Sequence, residues 1–211
     1  MKNFNNITAH GVTYKAPAMP PANLFWVDPK GHENFWCSVQ GDTSGTSSSP
    51  RTECRETGED NSESFNWLPA AGVIHTMLGT VRTELAPSSG KVIVGQIHAH
   101  GAPNPFLMLT WWNGWLRVDA RPTPDSEARN LIRVACPLRA AMKFMLQVTA
   151  DRVHINLNGS KLSVFLAAEA WVEFPFYFKR GAYVIDHEGP AEEGGWVVYE
   201  QSSVIHEEVG L

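Results

Sequence analysis

The chain has 211 residues, of which 43% are hydrophobic and 18% charged, with a formal net charge of −5. That size and balance fit one domain spanning 1–211 with its own core, without disulfide or metal staples. The charge argues against nucleic-acid or anionic-membrane binding by the protein as a whole, so an anionic partner needs a local basic patch, and no segment is long enough to span a bilayer.

In chain order, the opening MKNFNNITAHG lacks the apolar stretch of a secretory signal. Either a cytoplasmic protein or a mature or trimmed form is expected. A Ser/Thr-rich loop, Thr43 to Ser49, precedes the run SPRTECRE. Alternation along a strand puts Arg51, Glu53 and Arg55 on one face and Thr52, Cys54 and Glu56 on the other. Ile74 to Leu85 and Lys91 to Ala99 read as strands. Phe106 to Trp112 and Trp115 to Ala120 flank Asn113-Gly114, and Arg152 to Leu157 and Ser160 to Leu166 flank Asn158-Gly159. Asn-Gly between alternating runs predicts a two-residue hairpin turn. Ser126 to Arg133 is expected to form a short helix, and Leu138 to Met145 a short helix or the start of a strand. Trp171 to Ile185 and Trp196 to Ile205 are further strands. The cysteines, Cys37, Cys54 and Cys136, show no zinc-ligand spacing, and an odd count leaves at least one thiol free. Dense strand-turn patterning predicts an all-β antiparallel sandwich or jelly roll. The eight tryptophans suit both a packed core and a carbohydrate cleft.

Three stripes are too polar for ordinary strands. The first is Arg51, Glu53 and Arg55. The second comes from VGQIHAH, where Gln96, His98 and His100 share a face. The third comes from FYFKRGAYV, where Tyr177, Lys179, Gly181 and Tyr183 share a face and Gly181 leaves room for a ligand. Taken singly, each has an ordinary alternative: solvated charge pairs, a core histidine pair, an amphipathic edge strand. A His-x-His pair also suits a metal, but a third ligand is required. The continuation GAPNPFLM offers no acid, and no spacing singles out His75, His154 or His187. Brought together, the stripes form a cationic surface with an amide, an imidazole, a phenol and one acid, Glu53. A glycosidase needs two carboxylates flanking the bond, so this surface suits an anionic polymer and a different reaction.

The sequence resembles the alginate lyases of polysaccharide lyase family seven, whose motifs run R-[ST]-E-L-R, Q-[IV]-H and Y-F-K-A-G-x-Y-x-Q. Here they read RTECR, QIH and YFKRGAYVI, in the same order. The departures are Cys54 for Leu, Arg180 for Ala on the face away from the groove, and Ile185 for the final Gln. The resemblance implies a concanavalin-A-like jelly roll with a concave substrate groove. It implies cleavage of a uronic-acid polymer by β-elimination, with no metal or organic cofactor. Arg51 and Gln96 then neutralise the uronate carboxylate. His98 contacts that carboxylate or removes the C5 proton, and Tyr183 protonates the leaving O4. Arg55, Lys179, Glu53 and Tyr177 bind and orient, with Glu53 paired to one of the arginines, while His100 and Arg117 either extend the groove or are plain surface residues. The isoleucine of QIH implies a lean toward guluronate-containing blocks. A monomer acting on an anionic polysaccharide or oligosaccharide is expected, secreted or periplasmic by the resemblance. The alternatives are a lyase for another polyuronate such as glucuronan, a non-catalytic jelly-roll carbohydrate-binding protein, and a metal-dependent cupin enzyme.

Overall fold

The computed structural model describes residues 3–43, 49–58 and 64–210. Fifteen strands follow in order: β1 (Asn3–Ala9), β2 (Val12–Lys15), β3 (Phe25–Val27), β4 (Glu33–Ser38), β5 (Arg51–Thr57), β6 (Val73–Leu85), β7 (Lys91–Ala99), β8 (Leu107–Trp112), β9 (Trp115–Ala120), β10 (Arg129–Ala135), β11 (Met142–Val148), β12 (Arg152–Leu157), β13 (Ser160–Phe165), β14 (Phe176–Val184) and β15 (Gly194–Glu208). They form an eight-stranded sheet, β10-β9-β8-β7-β14-β5-β1-β2, and a seven-stranded one, β13-β12-β11-β6-β15-β4-β3. Every pairing is antiparallel. The core lies between the sheets and includes Phe35, Val92, Ile97, Leu109, Phe144, Ile155, Phe178 and Tyr199. This is a β-jelly roll.

Local chemistry explains much of it. Both Asn-Gly pairs close hairpins, with positive φ at Asn113 (47°), Gly114 (83°), Asn158 (49°) and Gly159 (95°). Positive φ at both central residues matches the right-handed twist of the flanking strands. Leu138 to Met145 leads into β11, which makes it the start of a strand.

Two expectations need correcting. Ser126 to Arg133 is not a helix: β10 begins at Arg129 and pairs with β9, with a bulge between Asn130 and Ile132. Leu131, Ile132 and Val134 pack on the core, and β9 would otherwise present an open edge, so tertiary pairing overrides local preference. Trp171 to Ile185 is not one strand. β14 starts only at Phe176, after Pro175, which has no N–H for a ladder.

All three cysteines are free and buried. Within the Ser/Thr-rich loop expected before Arg51, residues 44–48 lie outside the described residues.

Candidate active site on the outer face of the eight-stranded sheet

The polar stripes meet because β7, β14 and β5 are neighbours in the sheet. Lys179 is the register partner of both Gln96 and Arg55, Tyr177 pairs with His98, Gly181 with Glu53, and Tyr183 with Arg51. Directly paired residues share a face, so these side chains stand together on the side away from the core. Phe178 and Ala182 of the same strand point into the core. A bulge between Arg180 and Tyr183 brings Tyr183 opposite Ile93.

Glu53 is the hub. It is 1% exposed and accepts hydrogen bonds from Gln96 Nε2 (2.5 Å) and Lys179 Nζ (2.5 Å). Arg51 Nη1 stands 3.4 Å from the same carboxylate. Burial alone would raise the Glu53 pKa, but Lys179 and Arg51, with the two hydrogen bonds, carry it below the usual carboxylate value. Burial lowers the pKa of Lys179, with Arg51 and Arg55 adding to the effect and Glu53 opposing it. The expected pairing of Glu53 with an arginine is made with Arg51, and Lys179 is the closer ionic partner.

Above this hub, the aromatic groups are held by cations. The Arg51 guanidinium lies 4.2 Å from the Tyr183 ring centroid, and that of Arg55 3.4 Å from the Tyr177 ring. Arg55 Nη2 also donates to Asn66 Oδ1 at 2.6 Å. Burial raises the Tyr177 pKa and lowers that of Arg55.

His98 stacks on Tyr177, with centroids 5.3 Å apart, and its Nδ1 lies 3.1 Å from Ala99 O. A carbonyl oxygen only accepts, so Nδ1 carries the proton and Nε2 presents its lone pair. Burial, reinforced by the Lys179 charge, pulls the His98 pKa down to about 4. The imidazole is therefore neutral at pH 7, as a base must be. His98 and Tyr183 sit at opposite ends of the row. Four residues of β7 lie between His98 and Ile93, the register partner of Tyr183, and Gln96, Lys179 and Glu53 stand between the two ends.

The structure places the outlying residues differently. Arg117, on β9, shares the outer face through its pairing with Thr110, but three strands away from β14. His100 lies past the end of β7 in an exposed turn, apart from the cluster. Ile185 lies one residue beyond β14, outside the alternation. The role expected for Gly181 is corrected. Its φ is 147°, and a Cβ there would lie 2.3 Å from Thr52 O and 2.7 Å from Glu53 Cα. The glycine is required by the close approach of β5 to the bulge, and any space for a ligand is secondary. Arg180 faces the other sheet, as expected, and is ion-paired with Glu33 at 2.8 Å.

Sequence reading missed two supports. Asn66 holds Arg55 from a loop with no pattern. Beneath β14, the fully buried Glu56 accepts from Trp67 Nε1 (3.1 Å) and from the Phe178 backbone N–H (3.0 Å) and bonds His206 Nε2. His206 Nδ1 in turn lies 2.6 Å from His75 Nδ1. Glu56, His75 and His206 come from β5, β6 and β15, separated in sequence, so no local spacing announces them.

Elsewhere the chemistry is thinner. The seven-stranded sheet carries a depression of about 430 Å³ lined by Leu78, Lys143, Met145, Asn156 and Ser202, among others, which lacks an acid–base pair. Among the described residues no three His, Cys, Asp or Glu side chains converge as metal ligands.

A jelly roll with cations, an amide, a neutral imidazole and a cation-held phenol on one sheet face fits a polysaccharide lyase. The comparisons with known proteins agree. The chain belongs to the alginate lyase family, whose Alginate_lyase2 model, described as alginate lyase, matches residues 10–206. Among solved structures it is similar to the alginate lyase PA1167 from Pseudomonas aeruginosa, at 27% identity over 96% of this chain and 97% of that one, with a TM-score of 0.81. It is also similar to alginate lyase A1-II', a member of polysaccharide lyase family-7, at 28% identity over 90% and 86% of the two chains, TM-score 0.81. A doubly substituted A1-II' in complex with substrate (GGMG) matches at 25% identity over 98% and 93%, TM-score 0.84. No curated protein matches the chain.

Proposed function

We propose that this lyase cleaves the 1,4-glycosidic bond of alginate by β-elimination on the outer face of the eight-stranded sheet, leaving a 4,5-unsaturated uronate end. The observation that carries the assignment of roles is the Glu53 hub. One buried carboxylate orients Gln96, Lys179 and Arg51 together, so the donors for a substrate carboxylate are in place before it arrives. Preorganised donors are the most effective way to stabilise charge that develops in a transition state.

The C5 proton is weakly acidic while the adjacent carboxylate keeps its full charge. Arg51 and Gln96 neutralise that carboxylate and let the developing enolate charge spread onto it. The bond to Glu53 uses one amide hydrogen of Gln96 and leaves the second for substrate. The uronate ring lies between the two ends of the row. His98 Nε2 takes the C5 proton, and Tyr183, held by Arg51, protonates the departing O4. Where proton and leaving group lie on the same face of the sugar, Tyr183 performs both steps. Arg55, Lys179 and Tyr177 orient the neighbouring units. The single core shared by both sheets supports reading 1–211 as one domain.

The test is Tyr183→Phe. The fold should survive, and ultraviolet-absorbing product should fall by at least about a hundredfold, the lower end of general acid–base contributions. Near-normal turnover rejects the assignment. A panel of polymannuronate, polyguluronate and glucuronan, with mass analysis of products, identifies the preferred polymer; cleavage led by polyguluronate is expected.

A further inference from the structure

We infer that the β8–β9 hairpin and edge strand β10 form a distal binding site for uronate units of the polymer, remote from the sugar being cleaved. The inference rests on the lyase reading above and adds a second point of grip.

Register places the site on the catalytic face. Tyr183 pairs with Ile93, Ile93 with Thr110, Thr110 with Arg117 and Arg117 with Arg133. With about 4.8 Å between strands, Arg117 and Arg133 stand about 14 and 19 Å from β14 along one line across the sheet. Two residues along the strands, and so on the same face, Lys91 pairs with Trp112 and Trp112 with Trp115.

Their exposure is unusual for this protein. Trp67, Trp111 and Trp171 are at most 6% exposed, whereas Trp112 and Trp115 are 37% and 40% exposed. Trp111 turns inward and donates Nε1–H to Cys136 O at 2.9 Å, so the same hairpin sends one indole into the core and two outward. Each outward indole lies against a cation. Arg117 Cζ is 4.9 Å and Lys91 Nζ 5.1 Å from the Trp112 ring, and Arg133 Cζ is 4.8 Å from that of Trp115. Asp119 fixes Arg117 by accepting from Nε (2.8 Å) and Nη2 (2.5 Å). A recess of about 220 Å³ opens between these side chains.

The ligand chemistry follows. A pyranose presents a C–H face that packs on an indole, and a uronate adds a carboxylate for a guanidinium or ammonium group. Three cations and one already paired acid, on a protein of net charge −5, fit a polyanion continuing across the sheet from the catalytic row.

The experiment compares wild type with Trp115→Ala/Arg133→Ala on long polyuronate and on a uronate trisaccharide. The ratio of kcat/KM for long over short substrate should fall about tenfold, as loss of one stacking and one ionic contact implies. In the inactive Tyr183→Phe background, calorimetry with a long oligouronate should show a weaker Kd by a similar factor. An unchanged ratio in an active enzyme overturns the distal site, and so does an equal loss on both substrates, which marks structural damage. Wild-type dimers that dissociate on substitution overturn it too, since the face would then serve self-association. Wild type that releases no unsaturated product from any polyuronate instead sinks the lyase reading itself.

Discussion

Replacing Glu53 with Gln keeps the shape of the hub and removes its charge. The Glu53 side chain is fully buried and that of Lys179 is 9% exposed, so the substitution leaves a buried ammonium without its counter-charge. Breaking a buried pair from one side costs about 3–5 kcal/mol. In a domain of this size each kcal/mol moves Tm by about 2–4 °C, so a fall of about 6–20 °C is expected. Calorimetric melting measures it, beside product formation. The pH dependence gives a second check. Burial depresses the Lys179 pKa, and without Glu53 it falls further. The unfolded chain then binds more protons between the folded and unfolded Lys179 pKa values, so the variant's stability rises with pH through that window. Adding Lys179→Met removes the stranded charge and should recover much of the stability while activity stays lost. An unchanged Tm in Glu53→Gln refutes the hub, as does a double variant no more stable than the single one.

Two other predictions concern the same strands. His98 has a folded pKa of about 4 against 6.5 ordinarily, so kcat/KM should lose activity on an acid limb near pH 4, the free-enzyme value. The unfolded state binds the extra proton between pH 6.5 and 4, so His98 costs stability as pH falls through that range, about 3 kcal/mol in all. His98→Gln should flatten that part of the melting profile, and an unchanged profile counts against the assignment. Gly181→Ala puts a methyl group against the Thr52 carbonyl, and a loss of about 2–4 kcal/mol with reduced turnover is expected. Normal melting and turnover would show that the bulge tolerates a side chain.

What the sequence by itself determined was local. Asn113-Gly114 and Asn158-Gly159 specify their hairpins because only a few residue types accept positive φ, and period-two alternation assigns Arg51, Gln96, Lys179 and Tyr183 to polar stripes. Order along the chain was enough to match the lyase motifs. What only the tertiary structure decided was which groups touch. Glu53 meets Gln96 across 43 residues and Lys179 across 126, and no nearest-neighbour rule encodes a strand order that seats β14 between β7 and β5. The same holds for Asn66 beneath Arg55, and for Glu56, His206 and His75 beneath the catalytic strand. It holds for β10, where the open edge of β9 outweighed a helical reading of Ser126 to Arg133. Gly181 is the clearest case: its sequence marks a position without a side chain, and only the approach of the β5 backbone shows why none fits.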